Sequence, residues 1–265
     1  MTPYRAGSSS APDLLICAGL DPSGGAGLIA DVRVAAELGA RPVGVVTALT
    51  VQNTTGVIGC TACDPEIVDH QLSFLLTDIE VKAVKIGMIG STAVAKTIAQ
   101  QLERTGAPVV WDPILYPSRG DVALVDSLFG EALRALAPHV TIVTPNAREL
   151  AYLAGMPTRT TAEGVAAGRA LAAKLDCAVL VKGGHIAGDD AIDVLIHGAS
   201  QTELRAPRIR DGEHVHGTGC ALATAIAAHL ATGRELVEAC RLAKQYVTTH
   251  IASPVRSGRG AASLV

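Results

Sequence analysis

The densest chemistry in this 265-residue sequence lies in one run, His214-Val215-His216-Gly217-Thr218-Gly219-Cys220. It leads without a break into residues 221–230, apolar on most faces, which predicts a buried helix ending at Gly233. A glycine-bracketed turn feeding a helix leaves several backbone N–H groups unpaired at the positive end of the helix dipole, an arrangement that suits an anion. Thr218 adds a hydroxyl donor, and Cys220 falls in the first turn, where a thiol pKa tends to fall. The same residues also fit a capped helix with Cys220 as a small apolar filler. His214 and His216 suggest a metal site, but no third ligand stands near them in sequence.

Other candidates stand where strands give way to turns. Residues 43–51 read as a strand running into Gln52-Asn53-Thr54-Thr55-Gly56, whose amides and hydroxyls would line a pocket or simply form a polar turn. Residues 109–112 read as a strand ending in Asp112, a carboxylate that either approaches a metal or caps a turn. After a strand at 141–144, Asn146 and Glu149 have the spacing of a capping box, and the same pair suits a metal or phosphate contact. Lys182 closes the very apolar strand 177–182, as a snorkelling edge residue or a phosphate contact. A strand at 14–19 opens the series, and 192–197 with 201–206 read as an antiparallel edge. Helices are expected up to about 38, at 64–78, from an Ser91 N-cap to 104, at 162–175, and at 234–253.

Several classes drop out. Gly25-x-Gly27-x-x-Ala30 matches a dinucleotide-binding turn, but no Asp or Glu occurs between Leu38 and Cys63 to hold the ribose. No G-x-x-x-x-G-K-[ST] run is present. Cys60-Thr61-Ala62-Cys63 lacks the second pair of a zinc site and the helix of a redox motif. A net charge of −3 offers no footprint for nucleic acid or an anionic membrane, and no apolar run is long enough to span a bilayer. Aromatic residues are 3% of a chain that is 49% hydrophobic, so the core must be aliphatic, as in buried parallel strands between helices. Six scattered cysteines point to reduced thiols in the cytoplasm. Residues 1–12 read as a disordered tail. With no repeat or linker beyond them, 13–265 reads as one domain.

Taken together the motifs resemble a known family. Asp21-Pro-Ser-Gly-Gly-Ala-Gly27 with Asp31, Thr47 to Val57 around Gln52, Lys85-Ile-Gly-Met88, Thr144-Pro-Asn146-x-x-Glu149, Lys182-Gly-Gly-His185, Ala206-Pro-Arg-Ile209 and His216-Gly-Thr-Gly-Cys220 are similar to the hydroxymethylpyrimidine/phosphomethylpyrimidine kinases of thiamine biosynthesis. The resemblance implies the ribokinase-like fold, a three-layer α/β/α sandwich with a mostly parallel central sheet. It implies two ATP-dependent phosphorylations, of 4-amino-5-hydroxymethyl-2-methylpyrimidine and then of its monophosphate. By the same resemblance Gln52 reads the aminopyrimidine edge, and Asp31, Ala26 and Met88 shape the rest of that pocket. Gly217, Thr218 and Gly219 form an anion hole for the migrating phosphoryl group, with Cys220 positioning and assisting. Asn146 and Glu149 hold Mg²⁺ through water with Asp112 nearby, Lys182 lies near the nucleotide phosphates, and the protein is a homodimer. Two runs depart from the family pattern, 116–121, where Arg119 replaces a lysine, and 210–215. A pyridoxal or pyridoxine kinase, and a non-catalytic binder of a vitamin precursor, stand as alternatives.

Overall fold

The computed structural model describes residues 11–116, 129–184 and 190–265. Most of the expected tail, the altered run from Pro117 to Asp121, and His185 lie outside these residues. The described chain forms a nine-stranded sheet in the order β3-β2-β1-β4-β5-β6-β7-β8-β9. The strands are β1 (Asp13–Leu20), β2 (Arg41–Asn53), β3 (Gly56–Ala62), β4 (Ala83–Ile86), β5 (Val109–Trp111), β6 (Ile142–Val143), β7 (Ala178–Val181), β8 (Asp190–His197) and β9 (Ser200–Pro207). The run from β2 through β1, β4, β5 and β6 to β7 is parallel, while β3, β8 and β9 pair antiparallel at the two edges. The expected antiparallel edge at 192–206 is therefore present as β8 and β9.

Alternation along the central strands splits the core in two. In β1, Leu15 and Cys17 face one side, while Leu14, Ile16 and Ala18 face the other. The first face is covered by α2 (Pro65–Leu75), α3 (Thr92–Leu102), α4 (Phe129–Leu136), α5 (Ala147–Ala154) and α6 (Thr161–Leu175). The second is covered by α1 (Gly27–Glu37), α7 (Thr218–Ala231) and α8 (Leu236–Ile251). This is the three-layer α/β/α sandwich expected from the motifs. Burial of both faces explains the near-continuous apolar runs of the parallel strands.

The strand order reverses at β1, which has β2 on one side and β4 on the other. Crossovers leave β1 in opposite directions there, opening a crevice beyond the strands' carboxyl ends. The candidate residues gather at that end, in the turns after β1, β4, β5, β6 and β7, at the end of β2 for Gln52, and in the turn between β9 and α7. Alanine-rich α7 is narrow enough to pack closely on the middle of the sheet, with Ala223, Ala225, Ala227 and Ala228 fully buried. Its N-terminus thereby points into the crevice.

Candidate functional site

A cleft of about 1010 Å³, open to solvent, lies over these strand ends. Gln52, Ala26 and Met88 line one part of it, and Gly217, Thr218, Gly219 and Cys220 line another, together with Asp112, Asn146, Glu149 and Lys182. Of the residues to which the family resemblance assigns a role, only Asp31 is absent from the wall. It is fully buried beneath the cleft, where its carboxylate accepts from Lys85 Nζ at 2.5 Å and from Thr224 Oγ1 at 2.7 Å. Asp31 lies on the inward face of α1 and β4 aims Lys85 at it from the same side of the sheet, so Lys85 lines the bottom of the cleft and Asp31 holds it from beneath. Burial raises the Asp31 pKa even against Lys85. Burial opposes the Lys85 ammonium too, yet the Asp31 carboxylate, with Asp112 farther off, keeps it protonated.

The acceptor end is built by β1, β2 and the turn before α7. Gly27 opens α1 at φ 58°, and a Cβ there would lie 2.3 Å from the Gly19 carbonyl oxygen, so the first βα turn folds tightly against β1. Inside this turn Asp21 accepts from the amides of Ser23 and Ala26 and from His216 Nε2 at 3.3 Å. Burial works against the Asp21 carboxylate, but hydrogen bonds from His216 and Ser23 carry its pKa below the usual range. His216 Nε2 also meets the Gln52 amide at 3.2 Å. With its nitrogen toward His216 and its oxygen 3.3 Å from Thr50 Oγ1, the Gln52 amide meets a ring nitrogen whose proton serves Asp21 and a hydroxyl whose proton serves the Leu20 carbonyl at 2.8 Å; exchanging the two ends of the amide relieves both conflicts. Gln52 is thus held as a defined donor–acceptor edge, while Thr47 holds the Met88 carbonyl opposite. In β3, the extra residue Ile58 forms a bulge beside Val57, the register partner of Gln52.

At the other end Gly217 is the N-cap of α7 with φ 83°, and a Cβ would stand 2.0 Å from the Gly25 carbonyl oxygen. Ala221 is the first α7 residue to donate back, to Gly217. The amides of Thr218, Gly219 and Cys220 precede that first bond and belong to the turn that meets the cleft. Cys220 does not have the lowered pKa expected from its place in the first turn. Burial pushes the thiol up to about 12, outweighing Lys85, and the Gly27 amide donates to its sulfur.

Carboxylates and a lysine flank the turn. Asp112 accepts from Thr144 Oγ1 at 3.0 Å and from Lys182 Nζ at 3.3 Å. Asn146 and Glu149 do form the capping box of α5, with bonds of 2.9 and 2.8 Å, and still line the cleft. Cap and site are the same residues. Burial and the neighbouring Asp112 raise Glu149 to about 7. Two crowded carboxylates of this kind suit a hard divalent cation. Among the described residues no group of three or more His, Cys, Asp or Glu is placed to hold a metal alone. A cation held by Asp112 and Glu149 would fill the rest of its shell with water.

A second cleft, of about 940 Å³, opens on the far side of the same turn. It shares Lys182, Thr218 and Gly219 with the first, and its walls include Leu222, Val247 and Ile251. The buried pair Lys244–Asp193, at 2.8 Å, lies against it, and Asp193 also accepts from the Gly183 amide at 2.9 Å. Sequence reasoning missed this second cleft, along with Lys85 and Asp21 as site groups, and it raised His216 only as a metal ligand, not as the partner of Asp21 and Gln52. All three stood inside the quoted motifs, where their types alone were a signal. Asp193 and Lys244 had none.

Comparison with known proteins follows the same lines. A family model described as phosphomethylpyrimidine kinase matches residues 21–264. A hydroxymethylpyrimidine/phosphomethylpyrimidine kinase of Streptomyces coelicolor is 41% identical over 249 residues, 94% of this chain and 92% of that one. Among solved structures, an ADP complex of Bacillus subtilis pyridoxal kinase is similar with a TM-score of 0.84 at 28% identity, covering 96% of each chain. A Clostridium difficile phosphomethylpyrimidine kinase gives 0.75 at 32% identity, over 91% of this chain and 99% of that one.

Proposed function

Because this chain belongs to the phosphomethylpyrimidine kinase family, we propose that it phosphorylates 4-amino-5-hydroxymethyl-2-methylpyrimidine from ATP and then phosphorylates the monophosphate to the diphosphate. The observation that carries this reading is the meeting of two clefts at one helix N-terminus, with Lys182, Thr218 and Gly219 common to both. Phosphoryl transfer needs donor and acceptor on opposite sides of a site that stabilises charge on the moving group.

In this reading the pyrimidine ring lies against Gln52, Met88 and Ala26, its amino edge on the fixed Gln52 amide. The nucleotide occupies the second cleft, with its base among Leu222, Val247 and Ile251. Amides of Thr218 and Gly219 receive the migrating phosphoryl group, and Lys182 takes up phosphate charge. Asp112 and Glu149, with Asn146, would hold Mg²⁺ through water. When bound, that ion neutralises the charge on the phosphate oxygens. Cys220 is a neutral thiol at ordinary pH, so it positions the acceptor oxygen and does not act as a resting thiolate base. A loose transition state makes little demand on a base.

The reading includes a homodimer in the cytoplasm. The β2–β3 hairpin exposes Leu49, Val51 and Ile58, the last 82% exposed, on an edge that a second copy would cover. The six cysteines are free, and among the described residues no helix is long and apolar enough to cross a membrane.

The test is ADP release with Mg²⁺ and ATP on three acceptors: the hydroxymethylpyrimidine, its monophosphate and pyridoxal. Turnover of both pyrimidines with a far higher kcat/KM than pyridoxal supports the reading. Better turnover of pyridoxal would move the assignment to that vitamer, and no turnover by folded protein would leave a binding protein.

A further inference from the structure

The segment 255–265 carries no motif and takes no part in the transfer chemistry, yet Ala262, Ser263 and Leu264 are buried. Backbone bonds of 2.9 and 2.8 Å between Val255 and Ser263 close it on itself. From there it reaches two places at once. The Ala261 amide donates to the Thr54 carbonyl at 2.9 Å, and the Gly260 amide donates to Thr54 Oγ1 at 3.2 Å. The His216 amide donates to the Ala262 carbonyl at 2.8 Å, and the Leu264 amide to the His216 carbonyl at 3.2 Å. Thr54 lies at the tip of the β2–β3 hairpin, two residues beyond Gln52. His216 is the residue before Gly217, and its ring is the one that orients Gln52. Ala261 itself lines the acceptor cleft.

We propose that segment 255–265 is part of the acceptor site, a strap that fixes the spacing between the ring-reading Gln52 and the anion hole. The proposal rests on the reading of this cleft as the acceptor pocket. The hairpin tip is exposed at Asn53 and Thr55, and the two bonds to Thr54 hold it closed over the ring. The two bonds to His216 hold the other end of the same span. Acceptor affinity therefore depends on residues 206 positions from the hairpin they restrain, and Ala261, by its small side chain, sets the room left for the ring.

The geometry supplies the perturbation. A Cβ at position 260 would lie 1.8 Å from the Thr54 carbonyl oxygen, so Gly260→Ala forces strap and hairpin apart. Ala261→Leu leaves the backbone bonds and fills the cleft, and it serves as the second variant should the first fold poorly. Steady-state kinetics are read with hydrogen exchange of the full chain, with and without hydroxymethylpyrimidine and no nucleotide. The proposal expects the acceptor KM to rise about tenfold in each variant, with the ATP KM changed less than about twofold. It also expects the acceptor to slow exchange in peptides covering both 50–57 and 256–264. Slowed exchange at the hairpin alone, with acceptor KM unmoved in the variants, would overturn the strap. A wild-type chain that neither turns over the pyrimidine nor protects either peptide would instead overturn the acceptor reading, and the strap with it.

Discussion

Replacing Lys85 with methionine tests the floor of the site most sharply. The substitution leaves the Asp31 carboxylate fully buried with Thr224 as its remaining hydrogen-bond donor. Breaking a buried ion pair from one side costs about 3–5 kcal/mol. For a chain of this size that lowers the melting midpoint by roughly 6–20 °C. The loss depends on pH, and its sign follows from Asp31. Burial already raises that pKa, and Lys85 is the main influence lowering it, so the variant's pKa is higher still. The folded variant then keeps a proton that the unfolded chain releases, and its stability falls as pH rises above the unfolded carboxylate range near ~4. Lys85→Met should accordingly lie closer to wild type at pH 5 than at pH 8. Adding Asp31→Leu removes the stranded charge and should recover most of the loss, because apolar replacement of a whole buried pair is often neutral. Urea unfolding followed by the single, fully buried Trp111 measures all three proteins. A Lys85→Met protein within about 1 kcal/mol of wild type at pH 8, or a double variant no better than the single, would refute the reasoning.

Two further outcomes concern the turn before α7. Gly217→Ala places a Cβ 2.0 Å from the Gly25 carbonyl oxygen at a φ of 83°, so the amides behind it shift and kcat should fall on the order of 100-fold, read by initial rates on a variant shown by its melt to be folded. Cys220→Ala should keep kcat within about tenfold of wild type. With the thiol pushed up to about 12, the wild-type pH–rate profile should show no thiol inflection between pH 6 and pH 10; loss of all turnover with acceptor affinity intact would make the thiol essential.

Local signals in the sequence were legible and regional ones were not. Ser91 and Asn146 were readable as N-caps because a cap needs only its own side chain and the amides three residues on. The glycine turn that opens α7 was readable for the same reason. Asp31 was misplaced because its partner lies 54 residues away, on a strand whose inward face only the sheet order defines. Cys220 was given a lowered pKa on local grounds, whereas its burial comes from packing among β1, β4 and α1. The Asp21–His216 contact spans 195 residues, and the bond from Gly260 to Thr54 spans 206. Neither pairing leaves a periodicity or spacing to read. Chemistry confined to one turn is written in one stretch of sequence, and chemistry shared between turns becomes visible only when the sheet brings their ends together.

The most direct measurement is ³¹P NMR of the products formed from hydroxymethylpyrimidine with Mg²⁺ and excess ATP. The account predicts a monophosphate resonance that rises and then gives way to the paired resonances of a diphosphate, with two ADP formed per pyrimidine. ATP left unchanged, or phosphate appearing only as free inorganic phosphate, would contradict the claim that the two clefts meet to pass a phosphoryl group between them.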